Sequence, residues 1–241
     1  MVKTALITGA ARRVGAEIAR TLHASGMNIV LHHLASAQEV NALQAELEAI
    51  RPHSAVVLAA DLRDLNALQV LAEQSAAQWV HLDCLINNAA TFYPTPLGQV
   101  TQWDDLIDIN LRAPFFLSQA AAPWLRARQG CIVNLVDIYA DRPLQNHSVY
   151  SMTKAGLVSL TKSLANELAP EVRVNAVAPG AILWPEGETD LEYQKQILEK
   201  TPLRRLGSLV EIARAVRFLV LEATYTTGHV LNVDGGRVVR S

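Results

Sequence analysis

Short apolar runs alternate with amphipathic stretches along the whole chain. The runs Thr4–Thr8, Asn28–His32, Ala55–Leu58, Cys84–Asn87, Cys131–Val136, Arg173–Ala178 and His229–Val233 predict buried strands. Between them, helical periodicity runs over Val14–Ser25, Ala37–Ile50, Leu65–Trp79, Trp103–Arg128, Val149–Leu168, Leu191–Lys200 and Leu209–Leu221. Strands separated by helices imply βαβ units with right-handed crossovers. The expected fold is α/β, a doubly wound parallel sheet with helices on both faces. No repeat, low-complexity tract or linker breaks the pattern, so residues 1–241 read as one domain. The least regular stretch, Pro179–Pro202, carries Pro179-Gly180, Pro185 and Gly187 around a short charged helix. Such an insertion after a strand predicts either a substrate lid, at about residues 180–202, or a plain surface loop.

The 241 residues suffice for one large core, and half of them are hydrophobic. A net charge of −2 gives no pull toward nucleic acid or an anionic membrane. No stretch has the length and apolarity of a membrane span, and Met1 leads almost directly into Ala5-Leu6-Ile7 without a leader pattern. The expectation is a soluble cytoplasmic protein. Cys84 and Cys131 are expected to be reduced thiols in separate strands, and no Cys/His spacing suggests a metal.

Chemistry enters at the first strand, which runs into Thr8-Gly9-Ala10-Ala11-Arg12-Arg13-Val14-Gly15 before a helix. A glycine turn there lets backbone N–H groups and a helix N-terminus meet a pyrophosphate. The strict dinucleotide fingerprint is absent, because its central glycine is Arg13. Arg13 can meet a phosphate or an anionic edge of substrate, or simply stand in solvent. The second strand ends Leu31-His32-His33-Leu34-Ala35-Ser36, with no acid before Glu39. An acid there would accept from a ribose 2′-hydroxyl and repel a 2′-phosphate. Its absence, with His32, His33, Ser36 and Arg12 as donors, points to NADP(H). Asp61-Leu62 after the third strand fits an adenine contact, with a helix N-cap as the aspartate's other role.

The second chemical signal is Tyr150-Ser-Met-Thr-Lys154, with Asp137 upstream. Tyr and Lys at i and i+4 share a helix face. A free phenol has a pKa near ~10, and a nearby cation is expected to bring it toward the working range. Such a pair suits proton transfer coupled to hydride transfer.

These residues resemble the short-chain dehydrogenase/reductase family over essentially the whole chain. The landmarks come in the family's order: Thr8-Gly9…Gly15, Asp61, Asn87-Asn88-Ala89, Asn110, Tyr150…Lys154, Pro179-Gly180 and Asp234-Gly235-Gly236. The resemblance implies a single Rossmann-type domain with a seven-stranded parallel sheet. It implies a relay of Asn110, Tyr150 and Lys154, with Asn110 holding a water, and a cofactor lined by Asn88, Ala89, Ala90 and Pro179 to Ile182. It also implies packing of the two longest helices across a dimer interface, and a homotetramer. Phe115, Phe116, Leu117 and Trp124 lie on the first of these helices, where a large monomer core is the alternative use for them.

Two departures are informative. Asp137 stands where the family has a serine, and Arg13 replaces the central glycine. With Asn88-Ala89-Ala90-Thr91-Phe92-Tyr93-Pro94 and Ala181-Ile182-Leu183-Trp184, they resemble the pteridine reductase branch, which includes dihydromonapterin and dihydrobiopterin reductase-like proteins. Phe92 then matches the aromatic that sandwiches a pterin against the nicotinamide, and Arg13 a contact to both pyrophosphate and pterin. Some members carry an arginine near the 2′-phosphate where this chain has Ala35. Arg240 resembles an arginine that in some relatives reaches a neighbouring subunit's site.

A carboxylate beside a developing alkoxide would repel it, so Asp137 suits ketone chemistry poorly. Reduction of a C=N bond needs a proton on nitrogen, which a carboxyl group can relay. Asp137 and Tyr150 are expected to deliver that proton, while Lys154 tunes Tyr150 and binds the nicotinamide ribose. Phe92 either stacks on the ring or packs under a loop, and Trp184 either closes over the pterin or packs within the lid. The leading reading is an NADPH-dependent reductase of dihydropterins, extending to dihydrofolate. The alternatives are a 3-oxoacyl thioester ketoreductase and a non-catalytic nucleotide-binding protein.

Overall fold

The computed structural model describes residues 2–184 and 189–240 of the chain. Pro185 and Gly187 of the expected lid therefore lie outside the described residues. Seven strands form one sheet in the order β3-β2-β1-β4-β5-β6-β7, and every neighbouring pair is parallel. They are β1 (Thr4–Ile7), β2 (Asn28–His33), β3 (Ala55–Ala59), β4 (Cys84–Asn87), β5 (Cys131–Leu135), β6 (Arg173–Pro179) and β7 (Val230–Val233). The order reverses at β1, between β2 and β4, which creates the crevice where α/β folds bind ligands.

Successive strand residues serve opposite faces. Ile7, Leu31, Ile86 and Val133 pack against α1 (Arg13–Ala24), α2 (Ala37–Ile50) and α8 (Leu209–Leu221), through Ile18, Leu43 and Val216 among others. Leu6, Val30, Leu85 and Ile132 pack on the other face against α3 (Leu65–Ala77), α5 (Ala113–Ala127) and α6 (Ser148–Glu167), through Leu71, Leu117 and Leu164. Burial on both faces is why the strands read as continuous apolar runs. Among the described residues no helix is long and apolar enough to cross a membrane.

The expected helix Trp103–Arg128 is interrupted. It divides into α4 (Trp103–Ile107), a π turn (Asp108–Arg112) and α5. The Ala113 N–H reaches the Asp108 carbonyl, five residues back, and Pro114 has no N–H to offer the Asn110 carbonyl. The proline thus sets the register change at Asn110. Within the 180–202 stretch, α7 (Leu191–Glu199) starts at Asp190, whose side chain accepts from the Glu192 and Tyr193 N–H groups. Cys84 and Cys131 are register partners in adjacent strands, both free, with sulfurs 3.6 Å apart.

Candidate active site

Two clefts open at the C-terminal ends of the strands and meet at Arg12, Arg13 and Tyr150. The first, about 690 Å³, is built on the β1–α1 turn. A Cβ on Gly15 would lie 2.2 Å from the Gly9 carbonyl oxygen, so only glycine lets the helix start there. Gly9 itself has φ +62. Asn88 locks the turn to the end of β4, its Nδ2 donating to the carbonyls of Thr8 (2.8 Å) and Gly9 (3.1 Å). The Thr8 hydroxyl accepts from the N–H groups of Asn88 and Ala89. No acidic side chain occupies the first turn of α1, leaving its positive end open to an anion. Arg13 adopts φ 52, the left-handed conformation that a glycine would ordinarily supply. Val14, Ala89 and Ala90 complete this part of the wall. The cradle therefore fits a dinucleotide pyrophosphate.

At the end of β2 the structure corrects the expected role of His32. The Gly9 N–H donates to His32 Nδ1 at 3.2 Å, so that nitrogen carries no proton. Nε2 then donates to the Ala60 carbonyl at 3.1 Å. Burial pushes the imidazole down to about 4, against the Ala60 hydrogen bond. His32 is thus a neutral strut under the glycine turn, with both nitrogens used, and is no phosphate donor. His33 is buried along the cleft, and its Nδ1 has no partner among the described residues. Ser36 caps α2 without a side-chain capping bond, and Arg12 pairs loosely with Glu39 at 3.6 Å. Both line the cleft, as do Leu34 and Ala35.

Asp61 needs a second correction. Its carboxylate is held by the Arg63 guanidinium at 2.9 Å, and Asp64, rather than Asp61, caps α3 by accepting from Asn66 N–H. The cleft wall here comes from Leu62 and Arg63. Sequence reasoning missed Arg63, which reads as a solvated arginine without its fold partners.

The catalytic candidates gather where the clefts meet. Tyr150 Oη donates to Asp137 Oδ2 at 2.9 Å. Asp137 Oδ1 accepts from the Tyr139 N–H at 2.9 Å, an N-cap on a short 3-10 turn. Lys154, buried, donates through Nζ to the Leu135 carbonyl and lies 5.7 Å from the Tyr150 ring centre. Burial pushes Lys154 down to about 8, opposed by the Asp137 charge. Burial raises the Asp137 carboxyl above its ordinary value, against the Tyr139 N–H, Lys154, Tyr150 and Arg237. The phenol does not move as expected. Burial, the Asp137 charge and the hydrogen bond to it together hold Tyr150 well above its ordinary value. In this arrangement Tyr150 is a protonated donor, and Asp137 is the group nearer to titration.

Asn110 is held through its side chain. Its amide pairs with the Thr91 backbone, accepting from N–H at 2.8 Å and donating to the carbonyl at 2.9 Å, and it donates to Thr153 Oγ1. It ties the Phe92 loop to α6, so its side-chain donors and acceptor are already engaged.

The second cleft, about 650 Å³, holds Asp137, Phe92, Trp184, Ile182 and Gly180. Phe92 stacks on His147 at 4.6 Å and meets the Tyr150 ring edge-on at 4.7 Å, leaving half its surface exposed. Pro179 ends β6, and a Cβ on Gly180 would come within 2.7 Å of Asp234 Cα. Tyr193 and Ile197 of α7 form the far wall. Arg237 and Tyr139 also line this cleft and were missed from the sequence. Asp234 places Arg237 by accepting from the N–H groups of Gly236 and Val238, across a turn with φ 63 and 82 at Gly235 and Gly236. The Asp-Gly-Gly signal was visible, but not the arginine it aims. Arg240 donates to the Glu199 carbonyl of its own chain and lies beside its own site. Among the described residues no His/Cys/Asp/Glu group could hold a metal.

A family profile described as Enoyl-(Acyl carrier protein) reductase matches residues 9–237. Pteridine reductase 1 of Leishmania tarentolae is 36% identical over 275 aligned positions, covering 96% of this chain and 95% of its own. The 3-oxoacyl-[acyl-carrier-protein] reductase FabG of Staphylococcus aureus is also 36% identical, covering 98% of each. L-xylulose reductase of Bos taurus is 36% identical, covering 97% of this chain and 96% of its own. Overall identity thus ranks these relatives equally.

Proposed function

The chain belongs to the short-chain dehydrogenase/reductase family, as an NAD(P)-dependent oxidoreductase, and on that footing we propose that it is an NADPH-dependent pteridine reductase. The single observation that carries the reading is Asp137 hydrogen-bonded to Tyr150 at 2.9 Å, beside an exposed Phe92. An ionised Asp137 at that point disfavours an alkoxide, and its protonated form suits proton delivery to a ring nitrogen. The exposed aromatic suits a flat heteroaromatic substrate.

The nicotinamide, when bound, supplies the hydride. Gly9, Arg13, Val14 and Gly15 would hold the pyrophosphate, with Asn88, Ala89 and Ala90 along the nicotinamide side. Arg12 and Ser36, beside the start of α2, would meet the 2′-phosphate, with Arg12 exchanging its loose pair to Glu39 for the phosphate, which supports NADPH over NADH. Lys154 would bind the nicotinamide ribose through a donor it now shares with the Leu135 carbonyl. Asp137 and Tyr150 act as one unit holding a transferable proton, so its titration belongs to the pair. Burial of Asp137 keeps its carboxyl protonated to higher pH than a free one, as a proton donor requires. Arg237 and Lys154 keep the pair charge-balanced after the proton has left. The homotetramer stays part of this proposal; exposed Phe115 and Trp124 on α5 supply apolar surface for it.

The second reading is a 3-oxoacyl thioester ketoreductase, favoured by the equal identity to the S. aureus reductase. The test is NADPH oxidation with 7,8-dihydrobiopterin, dihydromonapterin and dihydrofolate, alongside an acetoacetyl thioester. Turnover of pterins alone supports the proposal. Turnover of the thioester alone replaces it with the second reading, and NADPH binding without turnover of either class points to a non-catalytic protein.

A further inference from the structure

Arg142, Lys200, Arg237 and Arg240 converge on one cavity of about 200 Å³, whose other walls are Ile138 and Tyr139. Among the described residues none of the four pairs with a carboxylate. Elsewhere Arg20, Arg63, Arg112, Arg128, Arg205 and Arg217 each face an acid, while Arg51 and Arg173 end singly on neutral oxygens; here four cations share one cavity lining. With a net charge of −2, the cluster is no by-product of a basic protein. Its donors touch only uncharged oxygens. Arg142 Nη1 donates to the Arg237 and Arg240 carbonyls, Arg240 Nη1 to the Glu199 carbonyl, and Arg237 Nη2 to the Tyr139 hydroxyl. Each guanidinium carries five N–H groups, so donors remain for a ligand. Like charges gathered around one cavity repel, and an anion would relieve that repulsion.

The cavity adjoins the substrate cleft and shares Ile138, Tyr139 and Arg237 with it. The Arg237 guanidinium lies 5.8 Å from the Tyr139 ring centre, and its backbone is fixed by the Asp234 turn. One side of the cavity is therefore rigid before a ligand arrives. Resting on the pteridine reductase reading, we propose that this cavity is an anion subsite. It holds the carboxylate or phosphate at the end of the substrate's side chain, while the ring lies between Phe92 and Asp137.

The test measures kcat/KM for three substrates: 7,8-dihydrobiopterin with its uncharged tail, dihydrofolate with its carboxylates, and the triphosphate ester of a 7,8-dihydropterin. Each is run in the wild type, Lys200→Glu and Arg142→Gln. The subsite predicts a lower KM for an anionic tail than for the uncharged one. Each variant should cut the anionic-to-uncharged ratio about tenfold, chiefly through KM. High salt should cut it in the wild type. The anionic substrate that loses more identifies carboxylate or phosphate. Each ratio is internal to one protein, so a poorly folded variant cannot imitate the result. An uncharged pterin turned over with ratios unmoved by either variant overturns the subsite and leaves the pteridine reading standing. If no pterin is reduced, that reading fails, and tripolyphosphate and p-aminobenzoylglutamate are titrated into the NADPH-loaded protein. Binding weakened by Lys200→Glu then upholds the anion site, and no binding overturns it.

Discussion

The Tyr150 hydroxyl donates to Asp137 Oδ2 across 2.9 Å, joining the start of α6 to the end of β5. The bond sets which of the two groups titrates first. A carboxylate accepting from the phenol holds the phenol neutral, and burial raises the carboxyl above its ordinary value. The rate of pterin reduction should therefore fall as pH rises through the raised Asp137 value, because the protonated form is the active one. Asp137→Asn keeps the shape and an acceptor for Tyr150 but removes the titration. Its kcat is expected to fall about 10²–10⁴-fold with that pH dependence gone. Full turnover in both Asp137→Asn and Asp137→Ser would remove Asp137 from proton delivery.

Lys154 gives a pH dependence of stability with a definite sign. Its folded pKa is about 8, below the 10.5 of a free lysine, so the unfolded chain binds more protons between those values. Unfolding free energy must then rise with pH across that window, and the burial cost is fully present below it. Denaturant unfolding of the cofactor-free protein should show wild type gaining on Lys154→Met between those two pH values. A difference that stays flat there would mean that Lys154 is not the buried cation described.

Much of this site is legible in the sequence where backbone geometry dictates the residue. Gly9 and Gly15 are required by contacts under 3.1 Å that any Cβ would make, and such positions announce themselves as glycine. The strands are legible because burial on two faces leaves an unbroken apolar run. What stayed hidden depends on partners remote in the chain. His32 looks like a phosphate donor until Gly9 and Ala60 are seen on its two nitrogens. Asp61 and Asp64 are equivalent caps in sequence, and only the Arg63 fork separates them. Pro114 is the visible signal of the break at Asn110, because a proline removes a backbone bond inside a helix and fits the first turn of a new one. Asn134 carries a further hidden link, accepting from Asn87 and donating to Thr161, a buried polar chain that seats α6 on β5.

Cofactor choice and cofactor affinity should separate by mutation. His32→Leu removes the acceptor for Gly9 N–H and the donor for the Ala60 carbonyl. It should cost about 1–3 kcal/mol of stability and weaken NADPH and NADH alike. Arg12→Ala and Ser36→Ala should instead lower the NADPH-to-NADH ratio of kcat/KM, by about tenfold for the charged residue. Cofactor titrations of the three variants check this. A His32→Leu protein that lost NADPH binding selectively would restore His32 as a phosphate contact.

Arg13 is where stability and function pull apart. Its φ of 52 costs an L-residue about 1–2 kcal/mol relative to glycine, while glycine loses about 0.5–1 kcal/mol more backbone entropy on folding. Arg13→Gly should therefore leave stability unchanged or raise it by up to about 1.5 kcal/mol, at roughly 2–4 °C in Tm per kcal/mol for a chain of this size. The guanidinium it removes lines both clefts, so KM for NADPH and for the dihydropterin should rise together, each about tenfold. Thermal melting and steady-state kinetics on one preparation read both effects. A lower Tm would mean that the left-handed backbone carries no relievable strain. Undiminished kinetics would mean that Arg13 serves neither ligand.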